Sequence, residues 1–240
     1  MRLKKIIKQL EGKFPLELAE EWDNVGLLLD STRREIKSIM LCLDITRDIV
    51  DNAVANKVDL IISHHPFIFS PLKKITTDEV NGEKILKLAR NNIAVYSMHT
   101  NIDSGIGGLN DFIIKKIGQE GKVFAISDNR SIELRKLVTS DLIDAKDKII
   151  NPLRIQKLKN AITIEELCKI IKEKLCIPNV RVVGDTAKLV KSYAICTGSG
   201  MSFSGNVKKK ADVFITGDLK YHESLDASEL NQTIIDLGHY

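Results

Sequence analysis

The amino-acid sequence predicts an α/β protein with two similar lobes and mostly parallel sheets. Short apolar runs rich in β-branched residues alternate with helical patterns along the chain, which is typical of βα units around a sheet covered on both faces. One strand–helix–strand pattern occurs twice. Histidines follow the ends of predicted strands, where ligands bind in open α/β sheets. Together these three observations predict a binding site in the cleft between the lobes.

The predicted elements are short and evenly distributed. Strands are expected at 25–29, 37–43, 58–63, 93–98, 179–184, 190–196, 211–216 and 233–237, and helices at 2–12, 47–57, 82–91, 108–117, 163–175 and 220–230. Residues 119–162 are richer in charge and weaker in pattern, and a small β element near 131–139 is expected there. We therefore place the domain boundary in this region, with a first lobe at 1–118 and a second at 119–240.

Two helices carry signals of their own. Near the N-terminus, apolar residues such as Leu3, Ile6 and Leu10 recur at helical spacing with charges between them, unlike the unbroken apolar centre of a signal peptide. Thr163 precedes acidic residues, including Glu166, and this pattern is typical of a capped helix start. An ordered N-terminal helix and no export are expected.

The segment that begins at Ile36 matches the segment that begins at Val190. When IKSIMLCLDIT is laid beside VKSYAICTGSG, a lysine, a serine and a cysteine coincide, and after one residue of slippage VDLIISHH (58–65) faces ADVFITGD (211–218). This agreement favours duplication over a chance match of apolar strands. The first strands of the two segments should occupy equivalent places, each with its cysteine buried.

Composition narrows the class of protein. The chain has 240 residues, of which 43% are apolar, enough for a large core without disulfides, and its four cysteines lie in apolar runs without close paired spacing. We expect buried thiols in a reducing cytoplasm, and no membrane span because no run of about 18 apolar residues occurs. Lys and Arg exceed Asp and Glu by 36 to 32 and aromatics are only 5%, which disfavours nucleic acid binding.

All five histidines stand at or just beyond predicted strand ends. They are His64, His65, His99, His222 and His239, and Asp103 follows four residues after His99 in HTNID. A single histidine is more often a hydrogen-bonded loop residue than a ligand, but five in equivalent places favour a metal site. Imidazole and carboxylate together suit zinc, manganese or iron.

The adjacent histidines favour two ions over one. Neighbouring side chains at a strand end point to opposite sides, so His64 and His65 are expected to grip different ions. A carboxylate such as Asp103 bridges two ions about 3.5–4 Å apart in dinuclear sites. The residues thus predict a dinuclear centre of two divalent metal ions.

Five motifs resemble a known family. EEWDNVGLLLD (20–30), ISHHPFIF (62–69), YSMHTNIDSGIGGLND (96–111), TGSG (197–200) and TGDLKYHESLDASELNQTIIDLGHY (216–240) occur in the order found in the Ngg-one-interacting factor three-like family, whose bacterial members are labelled type 2 GTP cyclohydrolase I homologues. The resemblance covers nearly the whole chain except about 119–162. It implies a two-lobed α/β fold, a dinuclear metal centre in the cleft and a homo-oligomer, often a ring-shaped hexamer.

The resemblance also implies roles for individual residues. His64 and His65 of the HH pair, Asp103 of HTNID and His239 of the GH pair stand where the family has metal ligands. His99 and His222 lie beside the metals in the family, as candidates for proton transfer. The family's last ligand is a glutamate four residues beyond the GH histidine, past the final Tyr240. We therefore expect the site of this sequence to lack that carboxylate.

The motifs lead to two functional hypotheses. The first is a metal-dependent hydrolase of an unknown small molecule, nucleotide-like or phosphorylated, in which His99 or His222 moves a proton. The second is a non-catalytic metal-binding interaction or adaptor protein.

Two further features are expected to be structural. The TGSG turn is expected to be a tight connection rather than a phosphate-binding loop, and Trp22 is expected to be a packing residue at the lobe junction.

Overall fold

The computed structural model describes residues 1–33, 35–127, 130–133 and 151–239, and within them the chain is a mixed α/β protein with two sheets. It divides into two compact units, Met1–Ile102 and Asp103–Tyr240. This division falls earlier than the 118/119 boundary expected from the sequence, and the domain boundary itself stays a prediction. Within the described residues, no helix combines the length and the apolar character needed to cross a membrane.

The first unit contains a four-stranded sheet. Its elements are α1 (Leu3–Lys13), β1 (Gly26–Leu29), β2 (Ile39–Cys42), α2 (Arg47–Ala55), β3 (Leu60–Ser63), α3 (Val80–Arg90) and β4 (Ala94–Ser97), followed by α4 (Thr100–Ser104). The strand order is β1-β4-β3-β2, in which β2, β3 and β4 are parallel and β1 is antiparallel to β4. The predicted N-terminal helix is confirmed.

The second unit contains a seven-stranded sheet. Its elements are α5 (Leu109–Ile117), β5 (Gly121–Ser127), β6 (Arg130–Glu133), β7 (Arg154–Thr163), α6 (Ile164–Leu175), β8 (Arg181–Val183), β9 (Leu189–Ile195), α7 (Ser204–Val207), β10 (Val213–Thr216), α8 (Tyr221–Glu229) and β11 (Thr233–Asp236). The order is β6-β5-β7-β9-β10-β11-β8. Thr163 caps α6 in a capping box with Glu166, as the sequence predicts.

The order of elements occurs twice. The series from α1 to β4 and the series from α6 to β11 both read α-β-β-α-β-α-β. Both sheets share the strand order as well: β1-β4-β3-β2 matches β8-β11-β10-β9, with three parallel strands and one antiparallel strand in each. The predicted repeat is therefore present in the topology.

Matching aspartates tie β2 to β3 in the first repeat and β9 to β10 in the second. Asp59 accepts hydrogen bonds from the backbone N–H groups of Lys37 (2.7 Å) and Ser38 (3.0 Å), and Asp212 accepts from those of Lys191 (2.8 Å) and Ser192 (3.0 Å). These are the lysine and serine that coincide in the sequence match. The prediction of buried cysteines holds for Cys196, which is 3% exposed, but is wrong for Cys42, which is half-buried.

The second sheet is not mostly parallel. Among its described pairings, only β9 with β10 and β10 with β11 are parallel, whereas β5, β6, β7 and β8 pair antiparallel. The sequence analysis missed β5 and β7 because charges such as Lys157 and Lys159 obscure the apolar pattern. The small β element expected near 131–139 overlaps β6, and its part beyond Glu133 lies outside the described residues.

The central strands of the first unit are buried on both faces. Leu60 and Tyr96 pack in one apolar cluster with residues of α1, while Ile61 and Val95 pack in another with residues of α2 and α3. Because both faces are covered, the strands offer no solvent-exposed side chain along their length. Polar chemistry is therefore confined to the residues that follow each strand.

Candidate metal centre

Three histidines meet at the carboxyl ends of β3 and β4. His64 and His65 follow β3 directly, and His99 stands two residues after β4. The two strands are parallel neighbours, so their carboxyl ends lie at the same edge of the sheet. One ring nitrogen from each residue lies within 4.8 Å of those of the other two, and all three residues are half-buried. The arrangement is that of a candidate metal centre.

Each imidazole is oriented through its Nδ1 atom. The partners are the carbonyl oxygen of Met98 for His64 (2.9 Å), Asp44 Oδ1 for His65 (2.8 Å) and Asp23 Oδ1 for His99 (2.9 Å). Since a carbonyl only accepts, Nδ1 of His64 donates and the lone pair of that ring belongs to Nε2. Metal-binding histidines usually donate their second ring N–H in this way to a carbonyl or carboxylate.

Asp23 is a buried anchor for His99. Its side chain is fully buried and accepts hydrogen bonds from the backbone N–H and the hydroxyl of Thr100 as well as from His99. Burial raises the pKa of this carboxyl, but the hydrogen bonds from His99 and Thr100 outweigh it and hold the pKa below its ordinary value. An ionised Asp23 therefore fixes the orientation of the His99 ring.

The three imidazoles fit a divalent metal. Two ligand atoms bound at about 2.1 Å lie at most about 4.2 Å apart, so nitrogens within 4.8 Å need only small side-chain movements to share one ion. The expectation that His64 and His65 point to opposite sides is wrong, because β3 ends at Ser63 and the two rings lie 5.2 Å apart. The structure also adds His99 to the candidate ligands.

In the second unit, Asp103 and His239 both adjoin the TGSG turn. Asp103 is buried, and its carbonyl oxygen accepts from Nδ2 of Asn110 (3.2 Å). Oδ1 of Asn110 accepts in turn from the backbone N–H of Thr197 (2.9 Å). The ring of His239 lies about 3.7 Å from the place where a Cβ on Gly198 would stand. One turn therefore connects two of the ligands that the family resemblance implies.

The TGSG turn itself is held by internal hydrogen bonds. The backbone N–H of Gly200 donates to Oγ1 of Thr216 (2.9 Å), and the carbonyl of Gly198 accepts from the N–H of Gly217 (2.8 Å). Gly198 has φ +67°, a conformation that favours glycine. These contacts agree with a tight connection, because the N–H groups of Thr197 and Gly200 already have partners.

A buried arginine fixes the segment after Asp103. The residue Arg154, at the start of β7, is fully buried. Its guanidinium donates to the carbonyl oxygens of Ser104 (2.9 Å) and Gly105 (3.1 Å) and pairs with Asp111. The sequence analysis missed this residue because nothing in the local pattern marks a buried cation.

The other histidines lie apart from the trio in their contacts. His239 forms a hydrogen bond through Nδ1 with Asp218 Oδ2 (2.5 Å) at the end of β10. His222 is exposed on the first turn of α8, with its ring 5.3 Å from that of Tyr221. In the part of the chain that the structure describes, His222 does not join the group of His64, His65 and His99.

Trp22 is not a buried packing residue. It is 60% exposed, and its ring lies 6.0 Å from the rings of both His99 and Phe69. The expectation of a packed tryptophan is wrong because Trp22 stands in the turn before β1, and its ring reaches only the rim of the histidine cluster. The residue type alone did not predict that Trp22 would be exposed.

Fold and site together define a mixed α/β protein with a histidine cluster capable of holding a metal. The family model Duf34/NIF3 (NGG1p interacting factor 3) matches residues 1–240, and the chain belongs to this family. It is 35% identical to a GTP cyclohydrolase 1 type 2 homolog of Clostridium acetobutylicum, covering 100% of the chain and 84% of the relative, and 34% identical to NIF3-like protein 1 of Drosophila melanogaster, covering 99% and 76%.

A solved structure shares the fold. A crystal structure of a Staphylococcus aureus hypothetical protein superimposes with a TM-score of 0.83 at 31% identity, covering 100% of this chain and 86% of that one. The family recognised from the motifs is thus confirmed, and so is its mixed α/β fold with two sheets.

Proposed function

We propose that this protein is a metal-dependent hydrolase of a nucleotide-like or phosphorylated small molecule. The observation that carries the proposal is the cluster of His64, His65 and His99, each oriented through Nδ1. A structural histidine needs one partner, whereas three rings converging with their nitrogens within 4.8 Å would repel one another when protonated. A cation between them removes this penalty. The name of the Clostridium relative, GTP cyclohydrolase 1 type 2 homolog, supports a nucleotide as the substrate class.

The roles within the site follow from the hydrogen bonds. A divalent metal, when bound, supplies Lewis acidity that makes water a nucleophile near neutral pH. His64 and His65 would hold the ion through their ring nitrogens. His99 is hydrogen-bonded through Nδ1 to the ionised Asp23, so its Nε2 would serve either as a further metal ligand or, when no metal is bound to it, as the proton acceptor. His222 is the alternative proton carrier.

Asp103 and His239 complete the proposal in the second unit. We propose them as metal ligands because they match the family's motif residues and because one turn connects them. We propose that each chain binds two ions and that these are zinc, manganese or iron.

We also propose that the protein is cytoplasmic and forms a homo-oligomer, up to a hexamer. Light scattering of the purified chain tests the assembly.

A turnover screen tests the hydrolase proposal. Protein loaded separately with zinc, manganese or iron is incubated with GTP and other nucleotides, and products are resolved by chromatography. We expect turnover by wild type and a loss of at least about 100-fold in His99→Ala, the range for a removed general base. His222→Ala is the matched histidine variant, and the metal content of both variants is measured: the larger loss of turnover at unchanged metal content identifies the proton carrier. Metal binding without any product would contradict the hydrolase and favour the adaptor alternative.

A further inference from the structure

Two large aromatic side chains are exposed beside the histidine cluster. Trp22 is 60% exposed and Phe69 is 54% exposed, with ring centroids 6.0 Å apart at an interplanar angle of 57°. Trp22 also meets the ring of His99 at 6.0 Å and 75°. Neither contact is a parallel stack, so the indole keeps most of its surface in solvent. We call Trp22 and Phe69 the aromatic pair.

The backbone under the aromatic pair is tied to the metal cluster. Asn24 Nδ2 donates to the carbonyl of Ile68 (2.5 Å), which joins the segment of Trp22 to that of Phe69. The backbone N–H of Asn24 donates to Oδ1 of Asp23 (2.8 Å), the atom that also orients His99. The segments that carry the two rings are therefore joined to each other and to the aspartate that orients His99.

A cavity adjoins Phe69 of the aromatic pair and His65 of the cluster. It has a volume of about 800 Å³, and Phe69, Phe67 and Leu72 line it together with His65. Small-molecule sites typically have volumes of about 300–1,000 Å³ and combine apolar walls with a few polar groups. A ligand resting on the aromatic pair thus has room to extend along Phe69 to the ring of His65.

We propose that Trp22 and Phe69 bind a planar heteroaromatic ring of the substrate and hold it beside the histidine cluster. This inference rests on the proposed function and specifies its substrate class. Adjacent exposed aromatic rings beside a candidate site are a surface on which a ligand ring can stack, and base–aromatic stacking contributes about 1–3 kcal/mol per base. Trp22 is in ring contact with His99, and Phe69 lines the cavity that His65 also lines, so the position of the pair favours a ligand of the site over another occupant.

The single tryptophan of the chain makes the proposal measurable. Trp22 fluorescence is titrated with guanosine 5′-monophosphate, guanosine and ribose 5-phosphate, in metal-free and metal-loaded protein. We expect quenching and binding by both guanosine compounds and at least about tenfold weaker binding of ribose 5-phosphate, because only a ring stacks and stacking tolerates different bases. The absence of binding by either guanosine compound, or equal affinity for ribose 5-phosphate, overturns the proposal.

Calorimetry of variants locates the binding. Trp22→Leu and Phe69→Leu should each weaken guanosine 5′-monophosphate binding about tenfold, whereas Trp22→Tyr, which keeps a ring, should restore most of it. Phe112→Leu is the matched control, since Phe112 is 57% exposed in the second unit. Unchanged affinity in both leucine variants contradicts the proposal. So does a lowered oligomeric mass with unchanged affinity, which would make the pair a contact between copies.

Metal content separates this inference from the proposed function. Trp22→Leu should keep wild-type metal, because it leaves every candidate ligand in place. If nucleotides bind at the aromatic pair but no product forms, the hydrolase fails and the ring site stands. If turnover is found and the leucine variants keep wild-type KM, the ring site fails and the hydrolase stands.

Discussion

The two repeats of the chain end their central strands in different ways. In the first, β3 leads into His64 and His65, and in the second the equivalent strand β10 leads into Gly217 and Asp218. A Cβ on Gly217 would lie 2.2 Å from the carbonyl oxygen of Gly238, so this position excludes any side chain. A duplicated scaffold thus keeps its strand order while the residues at the strand tips diverge. In this fold, the residues that follow the strand ends determine the chemistry.

The aspartates that the two repeats share also differ in their burial and in their contacts. Asp59 is buried and also pairs with Arg33 (2.6 Å), whereas Asp212 is exposed and accepts in addition from the hydroxyl of Ser192 (3.0 Å). Burial raises the pKa of Asp59, but the backbone hydrogen bonds and Arg33 outweigh it and lower the pKa overall. The two repeats thus contain the same aspartate–backbone contact, which is buried in the first repeat and exposed in the second.

The largest expected effect concerns the buried cation Arg154, which lies at the start of β7 and outside both repeats. Arg154→Ala should lower the free energy of unfolding by about 3–5 kcal/mol, because it leaves Asp111 and four carbonyl groups without their donor. Chemical denaturation measures this. Arg154→Lys keeps the charge but not the fork of donors and should recover only part of the loss. A change below about 1 kcal/mol would show that the arginine is not needed to hold the segment after Asp103.

A smaller effect separates the two aspartates. Asp59→Ala should destabilise the protein by about 3 kcal/mol, since two backbone N–H groups lose their acceptor at a buried site. Asp212→Ala should cost less than about 1 kcal/mol because water replaces the carboxylate. Thermal unfolding of both variants tests the comparison. Equal losses would mean that depth does not distinguish the repeats.

An expected effect smaller than that of Asp59→Ala lies at the strand end of the second repeat, at Gly217. Gly217→Ala should destabilise by about 2 kcal/mol through the clash with the carbonyl of Gly238. The matched control is Gly205→Ala, where an added Cβ meets nothing within 4 Å, and its effect should stay within about 0.5 kcal/mol. If Gly217→Ala is as stable as the control, position 217 can accept a side chain. The steric difference between the strand ends of the two repeats would then have no support.

Much of the fold was accessible from the sequence because its central strands are buried on both faces. Short apolar runs within 58–63 and 93–98, rich in β-branched and aromatic residues, predict strands, and the observed β3 and β4 lie within them. By contrast, β7 mixes buried and exposed residues with several charges, and its pairing is decided by neighbours that are distant in sequence. Local patterns carry no information about such partners.

The candidate site, like the fold, could be predicted from the sequence only in part. Placing histidines at strand ends needed only the apolar runs before them. Grouping His99 with His64 and His65 needed the adjacency of β3 and β4, and the exposure of Trp22 needed the path of the turn before β1. The burial of Arg154 could not be predicted, because its acceptors are mostly backbone carbonyls, which no residue type reveals.

The metal content of purified protein tests the central claim most directly. Elemental analysis of wild type is compared with that of the double variant His64→Ala/His65→Ala, with Asp212→Ala as a control outside the cluster and circular dichroism to confirm folding. We predict at least one ion per chain in wild type and in the control, and a loss of at least one ion per chain in the double variant, which should stay folded because the core strands do not depend on these tips. A folded double variant that keeps the full wild-type metal content would contradict the account.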